Sequence, residues 1–165
     1  MRARLARASA KGFRLLHFSV QQNHLHIVAE ADDKTSLARG VQRLLSTVAM
    51  TVNAIARRSG KLWRDRYHRE DLATPSQVRN AYVYVLFNDR RHALHRAYFT
   101  EPELATFDAC SSAAWFSGWA PRAGPAEHDV ARAGPSIVAS ARTWLATTGW
   151  RKRGLLRIWE VPRAR

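Results

Sequence analysis

Ser19-Val20-Gln21-Gln22-Asn23-His24-Leu25-His26-Ile27-Val28 is the stretch on which the fold turns. Its polar centre, Gln21-Gln22-Asn23, lies between two apolar runs and reads as a turn. Strands are therefore expected from about Phe13 to Val20 and from His24 to Glu30, paired antiparallel. Side chains alternate between the faces of a strand, so His24 and His26 share one face. Two neutral imidazoles converging there can hold a divalent cation. On spacing alone they read equally as a partly exposed structural pair, and both readings stand at this point.

Downstream, Leu37, Val41, Leu44, Leu45, Val48, Val52 and Ile55 repeat at helical spacing, which predicts a long helix from about Thr35 to Arg58. Its other face carries Arg39, Arg43, Arg57 and Arg58, either a solvated face or the extension of a basic track. Residues Tyr67 to Leu72 are expected to return as a strand. Thr74-Pro75-Ser76-Gln77 then opens a helix by three rules at once: Thr74 suits the N-cap, Pro75 the first helical position, and Gln77 completes a capping box. On a helix from about Pro75 to Asn88, Tyr84 and Asn88 stand one turn apart on a common face, whereas Tyr82 has Leu86 at that offset. Helix tyrosines are also commonly core residues with a polar tip, which leaves two readings of Tyr84 open. Further on, Gly118 to Gly134 reads as a loop, Ser136 to Thr147 as a short helix, and Arg151-Lys152-Arg153 as a basic end.

Composition bounds the partner. The 165 residues hold 27 Lys+Arg against 13 Asp+Glu, a formal charge of +14 that attracts polyanions. All of the positive side chains but Lys11, Lys34, Lys61 and Lys152 are arginine, which forks onto phosphates and stacks on unpaired bases. Trp63-Arg64-Asp65-Arg66-Tyr67-His68-Arg69 sets stacking surfaces beside phosphate-binding cations, making Arg64, Arg66, Tyr67 and Arg69 candidate DNA contacts, with Arg39 and Arg43 as an extension. Trp63 and Tyr67 read alternatively as core anchors. A hydrophobic content of 46% suits one modest core, and no apolar run reaches the length of a membrane span. The basic start, Met1 to Arg7, lacks the apolar centre of a signal peptide, so a cytoplasmic location is expected. Cys110 stands alone, which excludes an internal disulfide. No Gly-x-x-x-x-Gly-Lys-Ser/Thr loop is present for nucleotide binding.

Four motifs in order carry a resemblance: Asn23-His24-Leu25-His26, the long helix, Gly60-Lys61-Leu62-Trp63-Arg64-Asp65-Arg66-Tyr67-His68, and Tyr84-Val85-Leu86-Phe87-Asn88. Together they resemble the HUH-type single-tyrosine transposases, the insertion sequence 200-like enzymes and their REP-associated relatives. Gln22 and Asp89 stand where that family commonly has proline, and neither change removes a chemical group. The tail resembles one subgroup through Ser111-Ser112-Ala113, Phe116-Ser117-Gly118-Trp119, Thr143-Trp144-Leu145, Gly149-Trp150 and Glu160-Val161-Pro162. The resemblance implies an α+β fold, a ferredoxin-like antiparallel sheet with helices on one face. Residues 1–95 would form that domain and 96–165 a basic C-terminal extension with its loop at about 118–134. Family members normally begin with a further strand and helix, so this chain is expected to start within that helix and to lack the first strand.

Carried over residue by residue, the resemblance implies that His24, His26 and Asn88 bind Mg²⁺ or Mn²⁺ and that Tyr84 is the nucleophile. An ordinary phenol, with a pKa of about 10, attacks poorly unless a cation draws charge from the phosphate. The implied activity is a metal-dependent strand transferase, an enzyme of DNA transesterification. It would cut and rejoin single-stranded, hairpin-bearing DNA through a 5′-phosphotyrosine, without ATP. Monomer and homodimer both occur in the family. The alternative is a truncated, domesticated relative that grips structured single-stranded DNA without cutting it. An RNA-binding protein with a structural His pair is a third reading.

Overall fold

The computed structural model describes residues 2–5, 8–90, 108–121 and 134–162. Strand β1 (Phe13–Val20) pairs antiparallel with β2 (Leu25–Ala31) across the polar turn, so the class is α+β as the sequence implies. The ladder runs Leu15↔Ala29 and then His17↔Val28, which leaves Leu16 as a bulge. An extra residue reverses which side chains face which way. Phe13 and Leu15 before the bulge, and Phe18 and Val20 after it, join one core cluster, while Leu16 joins the other. Strand β2 keeps strict alternation, with Leu25, Ile27, Ala29 and Ala31 on the first cluster's side and Val28 on the second's.

Each face of the hairpin has its own cover. Helix α1 (Arg2–Leu5) and helix α2 (Lys34–Ile55) close the first cluster, where Leu5, Val41, Leu44 and Val48 meet Phe13, Leu15 and Phe18. Asp33 caps α2 by accepting from the Ser36 amide at 2.8 Å. The helix stops three residues short of Arg58, because Arg57 takes a left-handed φ of 48°. Helix α3 (Pro75–Leu86) covers the second face through Val78, Tyr82, Val85 and Leu86. Its Thr74 capping box and leading Pro75 form as the sequence predicts. It ends before Asn88, at Leu86, where buried Phe87 turns its ring toward Trp119 and lies 4.3 Å from the Arg90 guanidinium carbon.

Two expected elements do not form. Residues 67–72 are irregular, since His68, Arg69, Glu70 and Asp71 offer no apolar alternation and Arg69 pairs with Asp71 at 2.5 Å instead. Among the described residues the sheet therefore has two strands. The expected helix at 136–147 shrinks to its last turn, α4 (Trp144–Thr147). Its upstream amides are committed elsewhere: Ala139 donates to Leu15 O at 2.8 Å, and those of Arg142 and Thr143 to the Glu30 carboxylate, each at 2.9 Å.

The C-terminal residues complete the second cluster. A 3₁₀ turn (Ala113–Trp115) and another (Gly149–Arg153) bring Ala113, Phe116, Trp150, Leu156 and Ile158 against Leu16, Val28 and α3. Residues 108–112 also line the outer edge of β1, with Val20 N donating to Cys110 O at 3.0 Å and Ser112 N to Phe18 O at 2.9 Å. The expected boundary at 95/96 and most of the loop at 118–134 lie outside the described residues. No helix among the described residues is long and apolar enough to cross a membrane.

Candidate active site

Strand alternation sends His26, Val28 and Glu30 toward α3, and His24, just before β2, follows the same phase. The His24 and His26 rings meet edge to face with centroids 4.5 Å apart. Across the sheet face, Tyr84 of α3 meets His26 in the same manner at 4.9 Å. The structure thus brings together three of the residues singled out in the sequence. Asn23, in the turn, orders His24 through an Oδ1–Nδ1 contact of 2.6 Å.

The two helix tyrosines have separate surroundings. Tyr82 is 2% exposed, donates its hydroxyl to Ala146 O at 3.1 Å and packs edge-on against Trp150 at 5.3 Å. Burial, and then the Glu30 charge, push its phenol well above the ordinary range. Tyr84 is half-buried and lines a cleft of about 690 Å³ with Ile27, Leu72, Asn80 and Arg153. Tyr82 is a core residue and Tyr84 a cleft residue.

Asn88 lies beyond the end of α3, one turn residue after it, at the start of a further helical stretch at 88–90, so the single continuous helix through Asn88 that the sequence predicts is interrupted at Phe87. It is 1% exposed, and among the described residues neither its Oδ1 nor its Nδ2 has a hydrogen-bond partner. An unsatisfied buried carboxamide costs roughly 1–3 kcal/mol, which a bound cation or donor would offset. Asp89 Oδ1 beside it is likewise unpaired, and burial, then Asp108, push that carboxyl up. Among the described residues no three His, Cys, Asp or Glu side chains form a metal-binding group. Two imidazoles and a carboxamide form a donor set that admits Mg²⁺, Mn²⁺ and softer cations.

The arginine candidates divide. Arg39 and Arg43 are exposed on α2, over the opposite face of the sheet from Tyr84. Arg64 and Arg66 are exposed in the 61–73 segment, with Arg64 paired to Asp65 at 3.2 Å. Trp63 is the segment's anchor, donating Nε1–H to Leu45 O at 3.0 Å. Tyr67 is 47% exposed rather than a core anchor. It lines a second cleft with Arg69, on the side of β2 toward the start of α2. Sequence reasoning missed Asn80, although its place one turn before Tyr84 gave a usable signal. It also missed Arg153, which no local spacing links to α3.

Comparison with known proteins bears on the first half of the chain. Residues 5–85 match the family model described as "Transposase IS200 like". No curated protein and no solved structure matches the chain.

Proposed function

Because this chain belongs to the IS200-like transposase family through residues 5–85, we propose that it cuts and rejoins single-stranded, hairpin-bearing DNA with Tyr84 as nucleophile. The observation that carries this reading is the meeting of His26, itself paired with His24, with Tyr84, a residue of the cleft wall, at ring separations of 4.9 and 4.5 Å. A single strand in that cleft would place one phosphodiester beside the Tyr84 hydroxyl.

The Tyr84 oxygen attacks phosphorus in line, and its proton passes to solvent. The bond from phosphorus to the 3′-oxygen breaks, that oxygen takes up a proton, and a free 3′-hydroxyl leaves. The 5′ side stays attached to Tyr84 as a phosphotyrosine. One phosphoester bond replaces another, so attack by a second 3′-hydroxyl reverses the exchange without nucleotide hydrolysis. His24, His26 and Asn88 are the residues that would hold Mg²⁺ or Mn²⁺, and when bound the cation withdraws charge from the non-bridging oxygens. The edge of His26 against the Tyr84 ring fixes the phenol in the cleft.

The test is covalent trapping of the full chain on hairpin-bearing single-stranded DNA labelled at its 3′ end, with Mn²⁺ or with EDTA, resolved on a denaturing gel. A metal-dependent protein–DNA band is expected with wild type and with Tyr82→Phe, and none with Tyr84→Phe. Tyr82→Phe loses only a hydrogen bond to Ala146 O, worth about 1 kcal/mol of stability. A band that persists in Tyr84→Phe overturns the assignment. Retention of the DNA in a native gel with no covalent band favours instead a binding protein for structured single strands.

A further inference from the structure

The C-terminal segment carries a surface that the reaction just described leaves unused. Between residues 134 and 162 the cations Arg142, Arg151, Lys152, Arg153 and Arg157 are all exposed. Glu160, the acid of that segment, is neutralised by Arg79 at 2.7 Å. Trp144, on the first turn of α4, is 54% exposed beside this cluster. Its ring is held in place rather than loose. Gly149 packs so closely on it that an added Cβ would lie 2.7 Å from Cζ3, and the Lys152 ammonium sits 5.3 Å from the ring centroid. A tryptophan needed only for packing would be buried, as Trp150 on the adjoining 3₁₀ turn is at 2% exposure. An ordered indole left in water beside cations has the chemistry of a base-stacking platform.

Its position joins it to the site. Arg153, which ends the same 3₁₀ turn, lines the cleft that holds Tyr84. The basic turn therefore runs from the cleft wall to the exposed indole.

We propose that Trp144 and the turn Arg151-Lys152-Arg153 bind the single-stranded DNA that flanks the cleft, Trp144 stacking an unpaired base while the three cations contact phosphates. The proposal rests on the reading that the cleft takes single-stranded DNA. It adds a recognition surface from the half of the chain beyond the family match. Duplex DNA hides its base faces in its own stack, so the indole discriminates in favour of single strands.

The test measures binding of the full chain to a fluorescent thymidine homopolymer and to a duplex by anisotropy, in EDTA so that no strand is cut, at several salt concentrations. Trp144→Ala is expected to weaken single-strand binding about tenfold and leave duplex binding unchanged, with Trp144→Phe restoring most of the loss. Replacing Arg151, Lys152 and Arg153 together by Gln is expected to lower the log–log salt slope by about 2. Unaltered single-strand affinity and salt slope in both variants, with Tm unchanged, overturn the platform. So does an equal loss on single strand and duplex in Trp144→Ala. Because EDTA silences the covalent step, the two readings fail separately: a missing adduct alongside weakened binding in these variants would sink the Tyr84 assignment and keep the platform.

Discussion

His17 shows how far one residue's behaviour depends on chain that lies distant in sequence. Its ring is wedged edge-on against Tyr82 and Phe116, each centroid 5.2 Å away, and its Nδ1 meets the Ser112 hydroxyl at 3.1 Å. Burial pushes its pKa down to about 3 from the ordinary 6.5. The unfolded chain therefore binds a proton there, between those two values, that the folded chain does not. Stability is whole above pH 6.5 and is lost as the pH falls toward 3, by up to about 1.4 kcal/mol per pH unit. Urea titrations at pH 7, 6 and 5 should reveal the fall, and His17→Gln should flatten it. Glu30 behaves differently. Burial alone would raise its carboxyl, but hydrogen bonds from Thr143, the Arg142 amide and Arg14 hold it below the ordinary value. Its contribution is present above the ordinary carboxylate range and fades only under more acid conditions. Nothing local in the sequence marked His17, since its partners arrive with α3 and residues 112–116. The pairing of His24 and His26 was legible because it needed only a strand's alternation, and the approach of Tyr84 to that pair because the family resemblance singled out both, while the helical spacing to Asn88 did not carry past Leu86.

At the level of elements, local rules succeeded where side chains and backbone wanted the same thing. The hairpin, the capped start of α3 and most of α2 were legible because turn, cap and periodicity agreed. They failed where tertiary partners claimed the backbone, as Leu15 and Glu30 do for the residues before α4. They failed also at residues 67–72, where the charged run had no apolar face to bury. The bulge at Leu16 was invisible because it depends on two covers competing for one strand. Gly40 tests how tightly one of those covers sits. An added Cβ would run into the ring of Phe13, itself 1% exposed and hemmed in by α2. Alanine gains about 1 kcal/mol of helix propensity over glycine, while overpacking a closed core costs about 1–3 kcal/mol. The overlap is with the ring's inner atoms, so the cost is set at the upper end. Gly40→Ala should destabilise by about 1–2 kcal/mol and lower Tm by about 2–8 °C in a thermal melt followed by circular dichroism.

For the whole molecule the decisive fact is that α3 is held between halves of the chain that the family match treats unequally. Residues 5–85 supply the His pair and the tyrosine. Trp150, Leu156 and Ile158 close the far side of the helix that carries Tyr84, and Arg79 ties it to Glu160 and to Gly154 O, at 2.7 and 2.8 Å. Burying each large apolar side chain contributes roughly 1.5–3 kcal/mol, against a total stability of about 5–15 kcal/mol for a domain. A chain cut at residue 133 should therefore lose cooperative urea unfolding and bind a hydrophobic dye; a sharp transition at the wild-type midpoint would refute this. Synthesis adds a clock to the same arrangement. Ribosomes move at about 5–20 residues per second, so from the emergence of Leu86 to that of Ile158 the tyrosine helix waits on the order of 4–15 s with one side bare. During that interval the apolar side of the helix stays in water, and Tyr84 is not yet seated. Premature termination would thus yield a chain whose Tyr84 helix lacks the cover that Trp150, Leu156 and Ile158 give it, so the order of synthesis sets when the cleft beside that helix can form.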